Sequence, residues 1–155
     1  MPQIVVKTIQ AHIAYYDKEF CIYLHLALKR RDNDIKYPSI WQAITGTFEG
    51  LESSIECMKR EVEEETGIIV EKVWFLPYIT TFYDPNKDNI HHAPVFGILV
   101  DSKEIKLSDE HIEFDWLLLN EAVKYYNLPS HKEAAKVFDE YILNSNDEKL
   151  FRVDI

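Results

Sequence analysis

The stretch SSIECMKREVEEETG, Ser53 to Gly67, fixes one helix and much of what must surround it. Ser53 and Glu56 have the spacing of a capping box, and Gly67 suits the left-handed residue that stops a helix. At about 100° per residue, Ile55, Met58 and Val62 share one stripe that has to be buried. Glu61, Glu64 and Glu65 fall within about 100° of each other on the stripe beside it, whereas Glu56 and Glu63 point elsewhere, to water. A chain that folds around this helix brings three carboxylates to the margin of its core.

Local pairing accounts for only part of that charge. Lys59 can meet Glu63, and Arg60 can meet Glu56 or Glu64, at the i,i+4 spacing. Glu61 and Glu65 have no cation within reach on their own helix. Like charges at this spacing cost about 0.2–0.5 kcal/mol per pair, and acids in a last turn oppose the helix dipole by roughly 0.3–1 kcal/mol each. Two resolutions are open: ion pairs from elsewhere in the fold, or a hard divalent cation held by oxygen ligands.

The rest of the chain reads as an α+β domain. IVVKTIQAHIAYY, FCIYLHLALKR, IWQAITG, KVWFLPYITTFYD, HAPVFGILVD and FDWLLL are predicted strands, rich in β-branched and aromatic residues. RRDNDIKYPS reads as a loop. Helices are expected from near Asn120 and from Ser130, where Ser130 and Glu133 repeat the capping pattern. The order predicts a mixed sheet sandwiched between helices, in one domain over residues 1–155. A net charge of −10 argues against a nucleic-acid polymer as partner. The cysteines Cys21 and Cys57 form no CxxC pair and suit a reducing compartment. No apolar run is long enough for a membrane span and no signal peptide is recognisable, so a cytoplasmic protein, monomeric or homodimeric, is expected.

Spacing around the helix is more specific. Gly46 is followed by five residues and Glu52; seven more lead to Arg60-Glu61-Val62, one variable residue, Glu64-Glu65, Thr66, Gly67 and Ile68. This resembles the Nudix box, a loop–helix–loop motif, over its full length. The resemblance implies the α/β/α Nudix fold and Mg²⁺- or Mn²⁺-dependent hydrolysis of a diphosphate linkage. It implies Glu61, Glu64 and Glu65 as metal ligands, Arg60 bound to Glu52, and Gly46 and Gly67 as structural positions. WQAITG and DEHIEFDWL are similar to segments in the branch of dATP and dihydroneopterin triphosphate pyrophosphohydrolases, which adds Glu110 as a further ligand or base. Glu61, Glu64 and Glu110 are all candidates for the general base. Departures from the pattern are Leu51, where the family usually has Gly, and Thr45 before Gly46.

The expected substrate is a small nucleotide, cleaved to a monophosphate and pyrophosphate. Alternatives are a dinucleoside polyphosphate, a nucleotide sugar, or a nucleotide-binding module without catalysis. Arg30 and Arg31 are candidates to hold phosphates, against a solvated strand end, and Trp41 to stack on a base, against a structural tryptophan. His91 and His92 are expected at the surface, and FLPYITTFY as a core strand.

Overall fold

The computed structural model describes residues 1–155. Strands β1 (Gln3–Val5), β2 (Thr8–Asp17), β3 (Ile22–Arg30), β4 (Trp41–Gln42) and β5 (Ile44–Thr47) precede helix α1 (Ser54–Thr66). Then follow β6 (Val73–Asp84), β7 (Asn89–Val100), β8 (His111–Leu117), α2 (Leu119–Tyr125), α3 (Pro129–Phe138) and a short β9 (Arg152–Val153). The sheet is mixed, with the path β4-β3-β2-β7-β6-β9; β1 joins β7, β5 joins β2 and β8 joins β3. The central β2–β7 pair is parallel, with Ala11 beside Phe96 and Ile13 beside Ile98, while β2–β3 and β6–β7 are antiparallel.

The period of two divides β2 between the two faces of the sheet. Ile9, Ala11 and Ile13 join Cys57, Met58 and Val62 of α1, together with Phe96 and Ile98, in one core. Ala14 faces the other way, with Val95, Ala134 and Phe138 in a second core under α3. A third cluster seats α2 through Ala122 and Tyr126 against Ala27. The helices thus sandwich the sheet, as expected. Gly97 of β7 lies directly under the Phe138 ring, so that a Cβ there would come within 2.6 Å of Cδ1.

Helix α1 is closed at both ends by its own sequence. Glu56 N–H donates to Ser53 Oγ (3.2 Å), Ser53 N–H donates to Glu56 Oε2 (2.6 Å), and Gly67 stops the helix at φ 74°. Helix α3 departs from the expected start. It begins at Pro129 with Leu128 at the N-cap, because proline's fixed φ and missing N–H suit the first helical position, which moves Ser130 into the first turn. The N-terminal strand is also broken, with β1 leaving to pair with β7. The C-terminal residues, for which the sequence offered no role, pair Val153 and Arg152 with Val73 and Trp74; Glu148 accepts the Trp74 indole N–H at 2.7 Å.

Phe138 is fully buried at the junction of α3 and the sheet. Phe138→Ala should cost about 3–5 kcal/mol, read as a lower urea midpoint with an unchanged slope.

Candidate active site

Gly46 of β5 lies under the Glu61 side chain of α1. A Cβ at position 46 would overlap Glu61 Cγ and stand 2.6 Å from Cδ, so only glycine lets this carboxylate lie across the strand. Arg60 ties the loop before the helix to the helix itself. Its Nε and Nη2 bind Glu52 (3.1 and 2.6 Å), Nη2 also donates to the Thr47 carbonyl (3.0 Å), and Nη1 donates to Glu61 (2.8 Å) and Glu64 (3.3 Å). The guanidinium holds the Glu52 carboxyl down to about 2. Burial and the neighbouring Glu52 push the Cys57 thiol up to about 12, so Cys57 packs rather than reacts. Between Gly46 and the helix, Gly50 takes a left-handed turn and leaves Leu51 in solvent, which shows how the loop accommodates leucine before Glu52.

The three helix glutamates occupy different surroundings. Glu64 is exposed at the rim, Glu61 is mostly covered, and Glu65 is 3% exposed. Glu110, just before β8, completes the group. Burial first, then the nearby Glu110 and Glu61, push Glu65 up to about 9. Burial, offset in part by Arg60, also raises Glu61. Glu65 Oε2 has no hydrogen-bond partner. His111 Nδ1 is 3.7 Å away, but burial and Arg30 push His111 down to about 4. Both groups are therefore neutral near pH 7, and their approach is not an ion pair. Arg60 draws two of the carboxylates to itself, and no three acidic, histidine or cysteine side chains come close enough together to enclose an ion in this arrangement. The donors nevertheless suit a hard divalent cation in kind: crowded carboxylates, one with an orphaned buried oxygen, and no thiolate among them.

Glu61 and Glu110 open into a cleft of about 990 Å³ that Gly46 also lines. A smaller hollow of about 400 Å³, beside Cys21 and Asp139, contains none of these acids. Arg30 and Arg31 both line the cleft, but Arg30 is committed to Asp34 (2.7 and 3.1 Å), whereas Arg31 enters no ion pair. Trp41 lies outside the cleft. Its indole packs edge-on to Tyr125, with ring centres 5.0 Å apart, which favours the structural alternative over base stacking.

Several cleft residues escaped the sequence reading. Phe82 and Tyr83 line it from β6, part of the stretch expected to be core strand; from Ile79 to Tyr83 only Thr80 is buried. His91, expected at the surface, lies outside the cleft lining but is buried and stacked on Phe82 at 4.6 Å, with the ring planes 4° apart. Gln10, Gln42, Thr80 and His131 form a buried polar lining. The available signal was Gln10 and His12 alternating with apolar residues in TIQAHIAYY, polar side chains on a face that should have been apolar.

A family model described as NUDIX domain matches residues 17–141. A dihydroneopterin triphosphate diphosphatase from Haemophilus influenzae is 28% identical over 128 residues, covering 73% of this chain and 77% of that protein. The fold is similar to that of a Listeria monocytogenes protein designated a NUDIX hydrolase (TM-score 0.78, 22% identity, 96% of this chain and 99% of that one). It is also similar to the Escherichia coli dihydroneopterin triphosphate pyrophosphohydrolase (TM-score 0.70, 22% identity, 90% and 96%).

Because the fold holds Glu65 protonated up to about pH 9, against an ordinary value of 4.5, the unfolded chain releases that proton first. Stability of the metal-free protein should fall as pH rises from about 4.5 to about 9. In thermal melts with EDTA, Glu65→Gln should flatten this decline and melt above the parent protein at the alkaline end.

Proposed function

The chain belongs to the NUDIX family and is a hydrolase of phosphoric anhydrides; from that premise we propose that it cleaves a nucleoside triphosphate-like substrate to a monophosphate and pyrophosphate. The observation that carries this reading is the buried, partnerless oxygen of Glu65 beside Glu61 and Glu110, at the margin of a cleft large enough for such a substrate. Crowded carboxylates would repel a polyphosphate, so the reading requires a divalent cation between them. Glu61, Glu64, Glu65 and Glu110 are its proposed ligands, with Mg²⁺ or Mn²⁺ as the ion. When bound, such an ion stabilises charge on the phosphoryl oxygens and lowers the pKa of a coordinated water.

The chain's own residues supply position and charge. Arg60 fixes the loop carrying Thr47 and Glu49 against α1, which keeps the strand glycine under Glu61. Arg31, without a carboxylate partner, is free to meet a phosphate, and Arg30 is held beside it by Asp34. One of Glu61, Glu64 and Glu110 takes the proton from the attacking water, whose oxygen bonds to phosphorus; the bridging P–O bond of the anhydride breaks and its electrons leave with the departing phosphate oxygen. The similarity to dihydroneopterin triphosphate enzymes supports a heterocycle-bearing triphosphate over a dinucleoside polyphosphate or a nucleotide sugar.

The test is a panel of triphosphates, dinucleoside polyphosphates and nucleotide sugars assayed with Mg²⁺ for released pyrophosphate and phosphate. Pyrophosphate from a triphosphate is expected, and no turnover across the panel overturns the reading. Glu61→Gln and Glu64→Gln should each lower kcat by roughly 10²–10³, with unchanged circular dichroism; near-parent rates in either would remove that residue from the machinery.

A further inference from the structure

The cleft's buried polar lining meets the carboxylate helix only at Gln42, whose amide N–H donates to His111 Nε2 (3.1 Å) beside Glu65. Gln10 and Gln42 are each 2% exposed, Thr80 5% and His131 2%, and all four border the same space. Polar groups sealed this deeply ordinarily satisfy one another. Here they do so only in part. Thr80 Oγ1–H donates to Gln10 Oε1 (2.7 Å), and the Gln10 amide N–H donates to His12 Nε2 (2.8 Å).

His131 is left with a free donor. Its Nδ1 accepts the Ala43 N–H at 3.0 Å, which places the ring proton on Nε2. Burial pushes its pKa down to about 4, so this single-proton form holds at neutral pH. Nε2–H finds no acceptor in the protein, yet it is not among the ring nitrogens sealed off from the outside, as His12 Nδ1 and His25 Nδ1 are. The ring cannot swing to find one. His12 and Tyr126 pack edge-on against it, at 6.2 and 6.1 Å, and Tyr126 is itself pinned by its hydroxyl to the Leu26 carbonyl at 2.8 Å. A fixed, uncharged donor on a residue that lines the cleft suits an uncharged acceptor better than a phosphate. Carbonyl oxygens and ring nitrogens on the edge of a planar heterocycle are such acceptors.

We propose that His131 is a specificity-determining residue that donates a hydrogen bond from Nε2 to an acceptor on the edge of the substrate's heterocycle. The inference rests on the cleft being the substrate site, as proposed above. It separates the labour of binding: arginine and the acid-bound cation meet the phosphates, and the lining contributed by α3, β2 and β6 reads the ring.

Two substitutions divide the two nitrogens of His131. His131→Asn keeps an acceptor near the Nδ1 position for the Ala43 N–H and removes the outer donor; His131→Gln keeps a donor at the reach of Nε2. On the best triphosphate of the panel, His131→Asn should raise KM roughly three- to tenfold, with kcat within about twofold of the parent. His131→Gln should recover part of the loss. An unchanged KM in a folded His131→Asn overturns the proposal, as does a fall in kcat with KM unmoved. A second measurement needs neither turnover nor metal. Guanosine added to the ¹⁵N-labelled parent protein in EDTA should shift the His131 Nε2 resonance, and ribose at the same concentration should not. If guanosine leaves it unmoved, or ribose moves it equally, the proposal falls. Absence of hydrolysis across the panel would overturn the proposed reaction but leave this second measurement to decide the role of His131.

Discussion

The guanidinium of Arg60 faces four glutamates, Glu49, Glu52, Glu61 and Glu64, and also holds the Thr47 carbonyl. One cation cannot neutralise four anions, so the contact does not discharge the helix; it distributes the charge. The forked pair with Glu52 uses two of the guanidinium nitrogens in the geometry that arginine forms best, and it locks the loop after β5 to the middle of α1. Nη1 is then shared among Glu61, Glu64 and, more distantly, Glu49. Lysine, a single point charge, could not hold a carboxylate, a carbonyl and two further acids at once. The close stacking of Glu61 over Gly46 depends on this lock, because any slip of the loop would move the strand that leaves room for the carboxylate.

Beyond Arg60's reach the acids solve their problem differently. Glu65 has no cation, and its burial would cost several kcal/mol if it were charged. In this arrangement it carries a proton instead, faces a neutral His111, and leaves one oxygen without a partner. A structural ion-pair cluster would have placed a basic side chain there, and the end of β3 and the residue after it offer two. Arg30 is turned to Asp34, whose carboxylate also accepts the Lys36 and Tyr37 N–H groups, and Arg31 lines the cleft. Arg30 acts on Glu65 only at a distance, and neither arginine forms an ion pair with it.

The sheet-and-helix architecture and α1 were legible because their signals are local. A capping box, a terminal glycine and a 3.6-residue stripe act within a few residues, and each appears at its expected place. The start of α3 was misread because proline outcompeted serine for the first turn. The two alternatives for Trp41, and the cleft position of Phe82, were not legible for one reason. An aromatic residue in a strand shows which face it is on only after the helices are placed; Trp41 packs against Tyr125 of α2, while Phe82 stays exposed on β6. The polar lining was the least legible part. Gln10, Gln42, Thr80 and His131 stand on four elements and come together only through the strand order β4-β3-β2-β7-β6 and the docking of α3.

Strand β2 shows why these two parts of the site do not interfere. Its odd positions, Ile9 to Ile13, are apolar and support α1, which carries the acids; its even positions, Gln10 and His12, face α3 and lead to His131. The pleat therefore puts the support of the carboxylate helix and the support of His131 on opposite faces of one strand. On the proposed reading, a change on the even face alters hydrogen bonding beneath the heterocycle without loosening the packing under Met58 and Val62. A change on the odd face would move the proposed ligands and leave His131 in place. Such an arrangement would let the selectivity of the cleft drift while the helix stays where it is, since the two share a strand but not a side of it.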